Sequence, residues 1–278
     1  MTDPKPRHII VHGHIFKNAG TSFDWSLKRN FGDGFIDHKD QNDKYQRVPA
    51  YLAGFLDAAP GLKAIASHHL HRWMPLPQRT RVNLIPCFLL RHPIERVRSV
   101  YNFERNQESD TLGAIAAKKM NFKDFIAWRM CHMGGGVVMN YQIRYCSGRR
   151  KKGLAIADEL IPETADYLSS VALTGIVDRY DESMVYMEEH LRKFFPEIDL
   201  ACARQNVGSQ ADVSLSVGEK VDAIFKELGS VASELEKSNK ADLALYSLAN
   251  KSLDSHIAQI PDFERKLEEF RIRSKKLS

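Results

Sequence analysis

Several absences narrow what this chain can be before any motif is considered. No run of apolar residues reaches the ~20 that a helix needs to cross a bilayer, and Met1 to Arg7 contain no apolar stretch of the kind that directs secretion. The expected location is therefore cytoplasmic. Cysteine is scarce, with four in 278 residues: Cys87, Cys131, Cys146 and Cys202, never in a C-x-x-C pair. That spacing argues against a disulfide framework and predicts reduced thiols in core positions. Internal repeats and low-complexity linkers are missing too, so one domain over residues 1–278 is expected. Charge of one sign is not in great excess. A net +5 does not demand nucleic acid, and it fits a small polyanion or a glycan. Finally, the pattern G-x-x-x-x-G-K-[ST] of nucleoside-triphosphate loops is absent, with its lysine directly before the magnesium-binding hydroxyl.

What is present is organised around a stretch near the start. Ile9, Ile10 and Val11 form a β-branched run that reads as a buried strand. Phe23, Leu27 and Phe31 follow at helical spacing, with Lys28 and Arg29 free to face water. Between strand and helix lies a small-residue turn, Asn18-Ala19-Gly20, running into Thr21 and Ser22. Gly20 is read as the residue that takes backbone angles closed to others and lets a ligand approach the main chain. A turn feeding a helix start aims unpaired N–H groups and the positive dipole end at one spot, where a phosphate is the natural occupant. Lys17, on the strand side of the turn, adds a mobile positive charge.

A second candidate element is Lys63 to Ser67, a short strand running into His68, His69 and His71. Residues just past the carboxyl ends of parallel strands line the ligand crevice. A histidine there can take a proton from a hydroxyl, since imidazole titrates near working pH. The competing reading is a metal centre, because His12/His14 and His69/His71 each share a strand face. Zinc also calls for a carboxylate, a thiolate or a third well-spaced histidine, and the sequence shows no obvious companion.

The third landmark is Cys87 to Leu90, an apolar strand core, followed by Arg91-His92-Pro93. Pro93 suits the first turn of a helix, and Ile94, Val97 and Tyr101 mark its buried stripe. Arg91 at the strand end can hold a phosphate bidentately, and Ser99 can add a donor.

Two of these segments resemble motifs of sulfotransferases that use 3′-phosphoadenylyl sulfate (PAPS). Phe16-Lys17-Asn18-Ala19-Gly20-Thr21-Ser22 is similar to the family's 5′-phosphosulfate loop, in the form found in the carbohydrate branch that includes the heparan 2-O-sulfotransferases. Arg91, Pro93, Arg96, Ser99 and Tyr101 fall on the family's 3′-phosphate motif R-[DN]-P-x-x-R-x-x-S-x-Y, with His92 where an acid is usual. The resemblance implies that Lys17 to Ser22 bind the 5′ end of PAPS and that Arg91 and Ser99 bind its 3′-phosphate. It implies His68 as the catalytic base, with His69 and His71 as alternatives, and Lys17 as the group that stabilises the leaving phosphate. Asn140, Gln142 and Arg144 resemble the family's N-x-Q-x-R segment bordering the active site, and Arg204 to Gln210 its cofactor-covering loop. The acceptor implied is a small molecule or a glycan hydroxyl. No metal is called for when a lysine and backbone donors meet the growing charge.

The rest of the chain completes an α/β pattern. Residues 33–50 read as a surface loop, Tyr51 to Ala59 as a short helix, and residues 105–120 as a connection without clear structure. Phe122 to Met133 and Leu154 to Ser170 read as helices, and Val171 to Val177 as a strand. Ser183 to Phe195 reads as an amphipathic helix, with Asp181 and Glu182 at its cap. Arg149 to Lys152 is a basic run in a loop. From about 217 to 278 the pattern is helical and charged. Alternating strands and helices predict a parallel sheet with helices on both faces; with the phosphate loop this becomes a P-loop-type fold with a helical C-terminal region. The rival functions are a kinase that uses a nucleoside triphosphate, and a non-catalytic nucleotide- or glycan-binding protein.

Overall fold

The computed structural model describes residues 6–38, 51–70, 81–132, 136–147, 158, 160–203 and 215–277. Its strands are β1 (Arg7–Gly13), β2 (Phe35–Asp37), β3 (Ala64–Ser67), β4 (Val82–Leu90) and β5 (Leu173–Ile176). The helices of the first half are α1 (Gly20–Phe31), α2 (Tyr51–Ala58), α3 (Pro93–Asn106), α4 (Leu112–Lys119), α5 (Phe122–His132) and α6 (Tyr141–Ser147). They are followed by α7 (Ile161–Ser170), α8 (Tyr180–Leu191), α9 (Val217–Leu228), α10 (Ala232–Ser238), α11 (Lys240–Ile257) and α12 (Phe263–Lys275). The chain divides into two compact units, one of residues 1–90, 166–205 and 249–278, the other of 91–165 and 206–248.

The first unit holds the sheet. Its five strands are all parallel in the order β2-β3-β1-β4-β5. β1 lies at the centre, with Gly13 opposite Ser67 of β3 on one side and Phe88 of β4 on the other. From β1 the chain moves outward to β2, whereas β4 leads the other way to β5. The carboxyl ends of β1 and β4 therefore flank the switch point where α/β sheets hold ligands. Pro86 lies where β4 has a neighbour on one side only, since β5 covers Cys87 to Leu90; a proline's missing N–H is tolerated there.

Side-chain alternation along β1 gives the sheet two distinct faces. Ile9 joins Leu52, Leu56, Leu62, Ile65 and Leu70 in one core cluster, with Val11 packed against it. On the opposite face, the His12 ring meets Phe23 of α1 edge to face at 4.8 Å. Thus α1 and α2 cover opposite sides. Arg7 also ties strand to helix, donating to the carbonyls of Leu56 (3.3 Å) and Ala59 (3.0 Å), where α2 runs out of partners for its last oxygens. At the far edge α12 packs on α8. Buried Glu188 accepts from Arg273 at 2.9 Å and from the Leu200 N–H at 2.8 Å.

The second unit is helical. Ile94, Val97, Val100 and Tyr101 of α3 are buried, as are Phe122, Phe125 and Ile126 of α5. The Tyr101 ring contacts Phe122 and Phe125, and its hydroxyl donates to the Met120 carbonyl at 2.9 Å. Two helix starts cap each other. The Asn140 side-chain oxygen accepts from the N–H groups of Ala241 and Asp242, both 3.1 Å, at the start of α11. In return the Asp242 carboxylate accepts from Gln142 (3.0 Å) and Ile143 (2.7 Å) at the start of α6. Each side chain fills the role of an N-cap, but on the partner helix.

Sequence and structure part in several places. Residues 33–50 do not read wholly as loop, because Phe35–Asp37 pairs with β3 as an edge strand too short to show a pattern. The stretch 105–120 contains α4, whose Thr111 cap accepts from Ala114 N. α8 starts at Tyr180, three residues before the expected Ser183. No side-chain hydrogen bond caps it; Asp181 and Glu182 lie in its first turn, favourably placed for the helix dipole. Of the four cysteines, all free, Cys131 is exposed and not a core thiol. The expected basic run Arg149–Lys152 lies outside the described residues, as does Leu154 to Ala157.

The reciprocal caps should dominate the stability of the second unit. Asp242→Ala removes a fully buried carboxylate from two N–H groups and from the field of Arg96, and should cost about 3 kcal/mol. Urea titration would register this as a lower midpoint, and a midpoint within error of the parent would refute the capping role.

Candidate active site

The loop after β1 is strained in a way the sequence did not disclose. Lys17 (φ 65°) and Ala19 (φ 55°) both occupy the left-handed region, which for non-glycine residues costs roughly 1–2 kcal/mol each. Asn18 between them is buried and holds the loop: its side-chain N–H donates to the Leu89 carbonyl at 2.7 Å, and its backbone N–H to the Ile15 carbonyl at 3.2 Å. The first of these bonds spans the switch point, from the loop to the end of β4. Ala19 is the N-cap residue of α1, and the Ser22 N–H turns back to its carbonyl at 3.1 Å. Strain held by such cross-links is characteristic of ligand clamps. Thr21 is exposed, Lys17 half-buried, and Ser22 buried.

Gly20 has a different reason for being glycine than the one expected. Its φ is not positive. Instead, a Cβ built there would lie 2.4 Å from both Cδ2 and Nε2 of His14. Glycine is needed so that an imidazole can stand against the first residue of α1.

That imidazole belongs to a buried network. Asp24, one turn into α1, takes His12 Nδ1–H on one oxygen (2.6 Å) and His14 Nδ1–H on the other (2.7 Å). Burial alone would raise the Asp24 carboxyl, but the two imidazoles outweigh it and hold it well below the usual carboxylate range. Burial pushes the His12 imidazole down, against the pull of Asp24. Next to His14 stands His68, the first residue past β3, with ring centroids 4.4 Å apart. His68 Nδ1 lies 2.7 Å from the His14 carbonyl. A carbonyl only accepts, so Nδ1 carries the proton and Nε2 keeps its lone pair. Desolvation first, and the charge of His14 second, push the His68 imidazole below its ordinary value. It therefore stays neutral, and able to accept a proton, into mildly acidic solution.

His12, His14 and Asp24 also supply the carboxylate companion that the sequence reading of a metal centre lacked, with one ligand atom from each within 4.8 Å of the others. The contacts, however, are those of hydrogen bonds. Ligands at zinc-bond length sit roughly 3.3 Å apart around a tetrahedral ion, whereas Asp24 meets the two nitrogens at 2.6 and 2.7 Å. The cluster is built as a carboxylate that orients two imidazoles.

Lys17 to Ser22 and His68 thus belong to the first unit, while Arg91 and Ser99 belong to the second. Arg91 is gripped at its backbone: its N–H donates to the Gln142 side-chain oxygen and its carbonyl accepts from the Gln142 side-chain N–H, both at 2.9 Å. Gln142 therefore positions Arg91. The Arg91 guanidinium is partly exposed and approaches Glu95 loosely at 3.9 Å. Ser99 is half-buried on α3. Arg96 lies inside the second unit. It is fully buried, donates to the Val137 carbonyl, and lies over the Tyr141 ring at 4.5 Å, with its pKa brought down to about 10 by burial. Arg96 and Tyr101 build the second unit from within. His69 is half-buried; His71 and Arg204 to Gln210 lie outside the described residues.

No protein-family model matches the chain. It is similar to an uncharacterized protein of Archaeoglobus fulgidus, 27% identical over an alignment of 252 residues that covers 86% of this chain and 95% of that relative. The likeness therefore runs through both units.

Two outcomes are expected. Gly20→Ala should cost about 1–3 kcal/mol, because the new methyl must displace a ring anchored on Asp24; a melting temperature equal to the parent's would contradict this account of Gly20. His12 is depressed in the fold, so its contribution is present above the unfolded value of 6.5 and is lost as pH falls below it. Thermal melts between neutral pH and pH ~5 should show falling stability, with a shallower slope in His12→Gln. An equal slope in both proteins would remove His12 from the acid response.

Proposed function

We propose that the chain is a PAPS-dependent sulfotransferase, moving a sulfuryl group to a hydroxyl acceptor, on a carbohydrate or a small molecule, in the cytoplasm. The observation that carries this reading is the pairing of a strained anion loop with a neutral imidazole whose tautomer is fixed. His68 Nδ1–H is committed to the His14 carbonyl, and the open Nε2 is a ready base beside the loop that starts at Lys17. The resemblance of Phe16 to Ser22 and of Arg91 to Tyr101 to the two phosphate motifs of this family supplies the cofactor.

PAPS would provide the activated sulfuryl group and a good leaving phosphate. His68 Nε2 would remove the acceptor's hydroxyl proton as that oxygen bonds to sulfur and the bond from sulfur to the 5′-phosphate oxygen breaks. Lys17 and the N–H groups at the start of α1 would meet the charge that grows on the departing phosphate. Arg91 and Ser99 would take the 3′-phosphate, and Gln142 would keep the Arg91 backbone in place. The loop itself, with a lysine on the strand side and left-handed backbone at Lys17 and Ala19, supports reading the sheet as P-loop-type in this role.

The decisive experiment is a thermal-shift titration with 3′-phosphoadenosine 5′-phosphate (PAP) and with ADP plus magnesium, followed by transfer of labelled sulfate to a panel of glycans and small hydroxylated molecules. PAP should raise the melting temperature and ADP should not. Lys17→Ala and His68→Ala should each lower turnover by about 10²–10⁴-fold while remaining folded. Arg91→Ala should weaken PAP binding by about 10–100-fold. Stabilisation by ADP alone would replace this reading with that of a kinase; PAP binding without transfer to any acceptor would reduce it to a binding protein.

A further inference from the structure

His14 is assigned no role by the motifs, yet its ring is anchored on Asp24 and packed against Gly20. Its Nδ1–H is committed to Asp24 at 2.7 Å, which leaves Nε2 as its one working atom. That atom stands against Gly20, the first residue of α1, since a methyl there would lie 2.4 Å from it. Three charged or titratable neighbours surround the ring. Asp24 of α1 holds its far side, His12 of β1 stacks at 5.2 Å, and His68 after β3 lies at 4.4 Å, while Lys17 follows three residues on in the same loop. With Nδ1 occupied, Nε2 can donate a hydrogen bond only when it gains a second proton.

We propose that His14 is a ligand-contacting residue, which takes up a proton on binding and donates Nε2–H to the anionic group held at the start of α1, with Asp24 as its positioning residue. The inference rests on the sulfotransferase reading and deepens it by adding a donor to the 5′ end of PAPS. The proton comes from solvent, and no covalent bond to the ligand forms. Asp24 balances the positive charge so created, and the neutral His68 beside it keeps the base free for the acceptor. One imidazole would thus serve as donor and its neighbour as acceptor, a division set by what each Nδ1 touches: a carboxylate for His14, a carbonyl for His68.

The test is calorimetry of PAP binding in two buffers of different ionisation enthalpy near neutral pH, which counts protons exchanged. The full chain should take up about one proton more than His14→Gln does, and His14→Gln should bind PAP about tenfold more weakly. Asp24→Asn keeps the shape of the carboxylate but not its charge, and should lose most of the same uptake. Melting temperatures establish that each variant is folded. If His14→Gln does not fold, Asp24→Asn and the wild-type count decide. The inference fails if the wild-type protein takes up no proton, or if either folded variant takes up as many as the wild type. If PAP binds with its affinity dependent on Arg91 but without this uptake, the role of His14 is wrong and the sulfotransferase reading stands. If PAP does not bind the wild-type protein, both fall together.

Discussion

The arrangement in the first unit depends on one buried carboxylate. Asp24 is nearly out of solvent, where an isolated anion is expensive, and it persists because two imidazole N–H groups, from His12 of β1 and His14 just after it, end on its two oxygens. The consequences spread outward from those bonds. They draw the first turn of α1 onto β1, fix which nitrogen of His14 is free, and press the His14 ring against Gly20. The His14 carbonyl then sets the tautomer of His68, a residue fifty-four positions later in the chain. A charge buried for packing alone would be better replaced by an apolar pair. Here the charge determines the protonation of two ring systems, which an apolar pair does not.

The second unit solves a related problem with the same economy. Helix starts expose N–H groups that need acceptors, and α6 and α11 supply them to each other through Asn140 and Asp242. The same segment carries Gln142, which clasps the backbone of Arg91 from both sides. Asn140, Gln142 and Arg144 resemble, in the sequence, a segment that borders an active site. The contacts seen for Asn140 and Gln142 are structural: one caps a helix, the other fixes a neighbouring residue. Arg144 turns back on the Asn140 carbonyl at 3.0 Å. A residue pattern that resembles a family's motif can thus be occupied in holding backbone together.

What could be read from the sequence follows from how local each signal is. The β-branched run of β1, the apolar stripe of α3 and Pro93 at its first turn all depend on a few adjacent residues, and each appears where it was expected. So does the placement of His68 one residue past a strand. β2 escaped because three residues cannot display a period. Asp24 escaped because its partners are ten and twelve positions away and meet it only once the sheet and helix have formed. The clue was nevertheless there: His12 and His14 alternate onto one face of a strand, and Asp24 lies one turn into the helix that must cover that face. For Gly20 the sequence suggests freedom of backbone angle, whereas the constraint seen in the fold is the volume of a ring.

The left-handed residues sharpen the difference between a turn and a clamp. A plain strand–turn–helix junction has glycine or asparagine available for its left-handed positions. This loop has both residues close at hand, yet it places lysine and alanine there and uses Asn18 and Gly20 for other purposes. Asn18 spends its side chain on the Leu89 carbonyl, and Gly20 makes room for His14. Exchanging these residues into less strained positions would relieve the backbone but release the loop from β4 and push the imidazole away from the helix start. The strain is therefore explained by what surrounds the loop and not by its own conformational preference. Backbone strain over-determined by its surroundings in this way is the kind that clusters at ligand clamps and switch regions.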